Sequence, residues 1–298
     1  MVGTDWMRRA APRPSGPPAV TVLQTTTEAM WVLQGVCGVE MLPANLLLRP
    51  WVAEAGPPVG HPGLAVLAQA GALIDGETVH PTIARWMQAL AAADIELCVS
   101  VRRGEHELRL VIVRRERLHV AASRFGDDVT IEEVGGVVNV RDLVARILPL
   151  CGPEAEPAHF APISVRSAAL LDRLAAGVRD GAAGLIDETN ASTNGASWFT
   201  GLGLSGEQRC VLSAAAQAPL MRASFAVVVH DRRGDHVGLV SASVIDTASG
   251  RVVFGPVCDD DGTWWTRIVP GTPAAATRAV DSVVSAVTSS WQEQSRER

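Results

Sequence analysis

Lysine and tyrosine are absent from this 298-residue chain, and aromatic residues make up only 4% of it. Alanine, glycine, proline and arginine are abundant instead, a bias that reflects GC-rich coding and excludes no fold. No run of about 18 apolar residues is present, so no segment reads as a membrane-spanning helix. The opening MVGTDWMRRAAPRPSGPPAV carries charge and proline without an apolar stretch, and does not read as a secretory signal. Basic excess is missing too: a net charge of −6 and a pI near 5.7 argue against nucleic acid or an anionic membrane as partner. The five cysteines (Cys37, Cys98, Cys151, Cys210 and Cys258) are an odd number without paired spacing. They read as reduced, apolar core residues of a cytoplasmic protein rather than a disulfide framework.

Signatures of chemistry are equally sparse. The seven histidines are scattered, with no HExxH and no His–Cys ligand spacing, so no metal site is expected. His230 and His236 flank one hairpin, but two ligands do not make a zinc site. No serine lies in GxSxG and no cysteine has a nucleophile's local signature, so no catalytic residue is assigned and no cofactor is expected. Gly201, Gly203 and Gly206 satisfy GxGxxG, yet a polar stretch rather than a strand precedes them, and they read as a loop and helix start. Asp259-Asp260-Asp261-Gly262 resembles the start of a calcium loop. Trp264 then falls where that loop needs glycine, and Pro270 where it needs glutamate, so the run reads as a hairpin turn.

Alternation of apolar and polar residues is what the chain has in quantity. From Ile95 to Val134, Ile95, Leu97, Val99 and Val101 face one way and Glu96, Cys98 and Ser100 the other. Leu108, Leu110 and Ile112 continue the pattern, as do Leu118 with Val120 and Val129 with Ile131. A period of two means strands with one buried face. Breaks at Arg103-Gly104, Arg115-Glu116 and Gly126-Asp127 make this an antiparallel meander of about four strands. A second set of strand-like runs returns at 224–229, 237–245, 251–257 and 264–269. Each meander precedes one amphipathic helix, from Asn139 or from Thr272, and follows a short strand and a set of helices.

The chain therefore reads as an α+β protein with one plan written twice. The expected organisation is a disordered arm over 1–18, an N-terminal half over 19–151, a linker over 152–162, a C-terminal half over 163–291, and a polar tail over 292–298. Helices are expected after Thr25, from Pro62, from Pro81, from Asn139, from Ser167, behind the Ser205/Gln208 capping box, and from Thr272-Pro273. Trp198, Phe199, Leu202 and Leu204 cluster around glycines, as a satellite core or as a partner-binding patch. Binding is the better reading than chemistry. The alternative is a helix-grip domain that binds a small molecule or acts as an enzyme. It needs a sizeable cavity beside the helix at 272–291, whose stripe of Ala276, Val280 and Val283 is small and tight.

Three stretches carry a family resemblance: Trp31-Val32-Leu33-Gln34, Leu48-Arg49-Pro50 and His61-Pro62. With TTTEAMWVLQGVCGVE, LLLRPWV and the run from HPGLAVLAQ to IELCVSV, the chain resembles the EspG family over roughly 20–290. These are the secretion-associated chaperones of mycobacterial type VII (ESX) systems. The resemblance implies a pseudo-two-fold α+β fold and a cytoplasmic, non-enzymatic role. It implies a partner as well: the helical tip of a PPE protein within a PE–PPE heterodimer, shielded and held for an ESX secretion machinery. The contact in that family is made by a sheet surface and by helices of the second half. Carried onto this sequence, the partner-binding candidates are Arg102, Arg103, Glu105 and His106 on the first hairpin. In the second half they are Trp198, Phe199, Leu202 and Leu204, with Arg222, Ser224 and His230 on one strand face. The turn at Arg102–His106 is short where some relatives carry a long one.

Overall fold

The computed structural model describes residues 20–52, 59–136, 139–152, 155–183, 199–231, 234–288 and 291. The two meanders join edge to edge into one antiparallel sheet of eleven strands. In the first half, β1 (Val22–Thr26) adds to β7 (Asp128–Glu133), followed by β6 (Leu118–Phe125), β5 (His106–Arg115) and β4 (Ile95–Arg103). In the second half, β9 (Met221–Asp231) is followed by β11 (Ala242–Thr247), β12 (Gly250–Cys258), β13 (Trp264–Pro270) and β8 (Ile163–Arg166). β10 (Gly234–Val237) pairs only with β9, and a two-residue pair of strands, β2 (Leu73–Ile74) and β3 (Thr78–Val79), stands apart. The halves meet where β4 lies against β9, from Ile95↔Val229 to Arg102↔Arg222. Strand order is mirrored about that seam, as a pseudo-two-fold requires.

The helices begin and end where their capping chemistry dictates. Thr26 caps α1 (Thr27–Cys37) by accepting from Ala29 N–H. Gly38 ends it in the left-handed region at φ 63°, which a side chain would resist. Proline opens α2 (Pro62–Gln69), α3 (Pro81–Ala91) and α7 (Pro273–Ser285), at the first turn where its missing N–H costs nothing. Asn139 caps α4 (Val140–Ile147), and Ser205 with Gln208 forms a reciprocal capping box on α6 (Gly206–Gln217). The remaining helix is α5 (Ser167–Ala183).

Three cores follow. On one face of the sheet, α4 and α7 cover the seam. Val140, Leu143, Val144 and Ile147 meet Ala276, Val280, Val283 and Val284 over Ile95, Leu97, Val99, Phe225, Val227 and Val229. Residues of both halves therefore share this core. On the opposite face, α1, α2 and α3 cover β5, β6 and β7 through Met30, Leu33, Leu67, Ile83, Trp86 and Met87. On that same side of the second half, Leu170 of α5 and Val211 and Leu212 of α6 pack with Val252, Ile268 and Phe160.

The last helix packs directly on the strands, Gly255 being so close to Ala279 that a Cβ there would lie 2.7 Å from the alanine methyl. One open cleft beside it, of about 150 Å³, is lined by Val253, Gly255, Arg267, Ala275 and Arg278, and larger open clefts touch the two ends of the helix at Pro273 and at Ala286. A helix-grip protein needs an enclosed cavity there instead.

Several details depart from the sequence pattern. The run at 237–245 is one strand by alternation but two in space, because 238–241 bulges out between β10 and β11. Gly238 N–H still reaches Val227 O at 2.9 Å, while Leu239 is 99% exposed at the tip. The segment after Glu156 is packed rather than slack: Arg251 N–H donates to Glu156 O, and Ala158 N–H to Arg251 O. The cysteines are all free, but Cys210 and Cys258 lie on the surface, on α6 and at the end of β12, and not in the core. Trp291 is buried against the first half. Its indole N–H donates to His119 Nε2 at 3.1 Å, and the Arg114 guanidinium donates to its carbonyl.

Candidate functional site

The covering helices leave the seam itself bare on one side. α1–α3 sit over β5–β7, α5 over β8 and β13, and α6 over β11, so β4 and β9 lie between two helix layers. The side chains on this bare face are Glu96, Cys98, Ser100 and Arg102 from β4, opposite Val228, Ala226, Ser224 and Arg222 from β9. Among the described residues only Glu96 is fully buried; the others are half-buried or exposed. The β5 and β11 strands that flank it are three strand spacings apart, about 14 Å, and the eight-residue β4–β9 ladder makes the strip roughly 26 Å long.

Charge divides the floor into two ends. At one end, Glu107 Oε1 accepts from Ser100 Oγ at 2.6 Å and from Arg102 Nη2 at 3.4 Å, and its Oε2 accepts from Arg109 Nη2 at 2.8 Å. The Ser100 hydroxyl, then Arg109 and Arg102, hold this carboxyl below its ordinary range. Arg109 in turn donates to Asn45 O, and Asn45 Nδ2 donates to the carbonyls of Val99 and Leu110, which pins the 3₁₀ turn at Ala44–Leu46 beside the strip. Arg222 donates to Ala215 O at 3.0 Å, tying β9 to the end of α6. At the other end, His230 Nε2 lies 3.0 Å from Glu96 Oε1 and its Nδ1 2.7 Å from Asp235 Oδ1. The hydrogen bond to Glu96 leads in pushing the imidazole up to about 9, with Asp235 adding to it against the cost of burial. Burial, helped by Glu96, pushes the Cys98 thiol up to about 12, so it is not a poised nucleophile.

The candidates from sequence separate on this frame. Arg102, Arg222, Ser224 and His230 do share the bare face. Arg103 points to the other side and donates to Cys151 O at the end of α4. His106 stacks on Phe125 at 5.8 Å, and Glu105 is exposed on the turn, so the hairpin residues do not act as one patch. Phe199 is 1% exposed inside the third core, which makes it a packing residue rather than a free contact. Leu202 and Leu204 are half-buried against the same core. Trp198 lies outside the described residues. His230 and His236 do not meet; each pairs with an aspartate across the turn, His236 with Asp231 at 3.0 Å. Among the described residues no group of three metal-ligating side chains gathers. Gly201 and Gly203 form a left-handed turn ahead of the Ser205 cap, and the aspartate run closes a turn through Thr263 N–H.

Sequence reading passed over Glu96, Cys98, Ser100 and Glu107. The available signal was parity: they occupy the polar positions of strands whose other face is apolar.

The three stretches that carried the resemblance converge in space. Trp31 Nε1 donates to Pro50 O, Gln34 Nε2 to Arg49 O, the Arg49 guanidinium lies 4.0 Å over the Trp31 ring, and His61 packs on the same ring at 5.7 Å. They form a staple that fixes the chain after α1, and not a ligand site.

The fold is that of a two-halved α+β protein whose halves meet at a seam left uncovered on one face. The profile of the EspG family matches residues 26–282, and the chain belongs to that family. Among curated relatives, the ESX-5 secretion-associated protein EspG5 of Mycobacterium marinum is 26% identical over 93% of this chain and 97% of its own length. The ESX-2 secretion-associated protein EspG2 of Mycobacterium tuberculosis is 31% identical over 53% of this chain and 59% of its own. Among solved structures, the fold matches the Mycobacterium tuberculosis type VII secretion system chaperone EspG5, determined in complex with a PE25–PPE41 dimer. The TM-score is 0.78 at 21% identity, covering 92% of this chain and 100% of that one.

Proposed function

We propose that this protein is a cytoplasmic chaperone or adaptor for PE–PPE heterodimers. It binds the helical tip of the PPE subunit along the bare seam, keeps the pair soluble and delivers it to a type VII (ESX) secretion system. It does so by binding alone, without catalysis or a cofactor. The observation that carries this reading is the strip over β4 and β9, where the seam of the two halves lies uncovered between two helix layers. Membership of the EspG family supports it, as does the likeness in fold to a chaperone solved with a PE–PPE dimer bound. No helix among the described residues is long and apolar enough to cross a membrane.

Co-expression with a panel of PE–PPE pairs, followed by size-exclusion chromatography, tests the reading. The expected result is a stable complex of one copy of each chain, with the pair soluble only when this protein is present. A well-folded protein that captures none of the pairs overturns it.

A further inference from the structure

We infer that the strip is electrostatically polar, and that the tip it accepts carries an acidic residue over Arg102 and Arg222. The inference rests on the reading above. Arg102 and Arg222 are direct cross-strand partners on the bare face, an arrangement in which like charges repel. Glu107 is the carboxylate within reach, and it is shared: Arg109 holds one oxygen, while Ser100 and Arg102 hold the other. Glu105, on the turn beyond, is exposed, and Arg103 leaves for the opposite face. Arg102 and Arg109 thus share one carboxylate at this end, and Arg222, bonded to Ala215 O, faces Arg102 across the seam. The far end is the reverse, with Glu96 and Asp235 on either side of His230.

Water screens the arginine excess while the face is open; the Arg102 side chain is 66% exposed. A partner laid along the strip removes that water. An apolar surface would then bury more guanidinium charge than the shared Glu107 balances, which is unfavourable. An aspartate or glutamate on the tip converts that penalty into charge-assisted, potentially bidentate hydrogen bonds. The same polarity sets direction, because an acid placed at the Glu96 end meets like charge. Arg102 and Arg222 therefore select both the cargo and its orientation.

The test uses the full-length protein and the PE–PPE pair that passes co-expression. Affinity is measured at low and moderate sodium chloride for wild type, Arg102→Gln, Arg222→Gln and the double variant. The expected loss for the double variant is about tenfold or more at low salt, with a flatter salt dependence. Arg222→Lys retains charge and should lose much less, which separates charge from the bond to Ala215. Arg102→Gln, which breaks only the contact to Glu107, guards against a folding artefact. Neutralising each acidic residue of the PPE tip in turn should give one substitution whose effect vanishes in the double variant. Double-variant binding within about twofold of wild type, with an unchanged salt slope, overturns the inference while leaving the chaperone reading in place. Failure of wild type to bind any pair removes the reading itself.

Discussion

Removing Asp246 is expected to be among the most damaging single changes in the molecule. Asp246 and Arg251 are both 6% exposed at the β11–β12 hairpin, joined by two hydrogen bonds of 2.6 and 2.9 Å. The Arg251 backbone also bonds Glu156, Ala158 and Gly271, which fixes the Cα from which its guanidinium extends. Asp246→Ala strips a buried guanidinium of both of these bonds, which costs on the order of 3 kcal/mol. Against a typical domain stability of about 5–15 kcal/mol, this is roughly a fifth or more of the total. The urea midpoint should fall by on the order of 1 M. An Asp246→Leu/Arg251→Met double variant, apolar and similar in volume, should recover most of the loss. Amide exchange at Ala158, whose N–H bonds Arg251 O, should accelerate in the single variant first. A loss below about 1 kcal/mol in Asp246→Ala, or a double variant worse than the single, would refute the reasoning.

Other outcomes follow from the same structure. The His230 pKa is raised to about 9 from an ordinary 6.5, so its contribution to stability is full below pH 6.5 and is lost as pH rises through 9. Urea midpoints measured from pH 6 to 10 should show this decline in wild type, and a His230→Gln variant should lack it. Thiol labelling at pH 8 should modify Cys210 and Cys258 quickly, while Cys37, Cys98 and Cys151, pushed by burial to about 11, 12 and 11, react only on unfolding. More than two fast thiols would contradict that burial. Trp291→Ala removes a ring that is 2% exposed and should cost about 3–5 kcal/mol in chemical denaturation. A loss near zero would show that the C-terminal anchor on Arg114 and His119 carries no stability.

The meanders were legible because alternation is local: as the sequence pattern says, Leu97 and Val99 face the core shared by both halves while Cys98 and Ser100 face the opposite side, where Cys98 meets the edge of the second core. Helix starts were legible for the same reason, since Thr26, Asn139 and Ser205 act on N–H groups two or three residues away. The seam was not, because Cys98↔Ala226 joins residues over a hundred positions apart and nothing local specifies which meander edges meet. Without the seam, Glu96 and His230 cannot be recognised as partners. The site was read in part: strand parity placed Arg222, Ser224 and His230 together correctly. The same parity sends Arg102 and Arg103 to opposite faces, a consequence the hairpin reading left undrawn. Phe199 was ambiguous for a different reason, since an aromatic beside glycines reads alike in a satellite core and in an exposed patch, and burial decides between them.

The most direct test of the account is to block the strip without disturbing the core beneath it. Ala226 lies at mid-seam opposite Cys98, half-buried and pointing away from the shared core, so Ala226→Trp projects an indole into the path of a docked helix. Affinity for a captured PE–PPE pair should fall by two orders of magnitude or more, about 2.7 kcal/mol, with the thermal midpoint near that of wild type. Wild-type affinity in a folded Ala226→Trp protein would place the partner elsewhere and contradict the account.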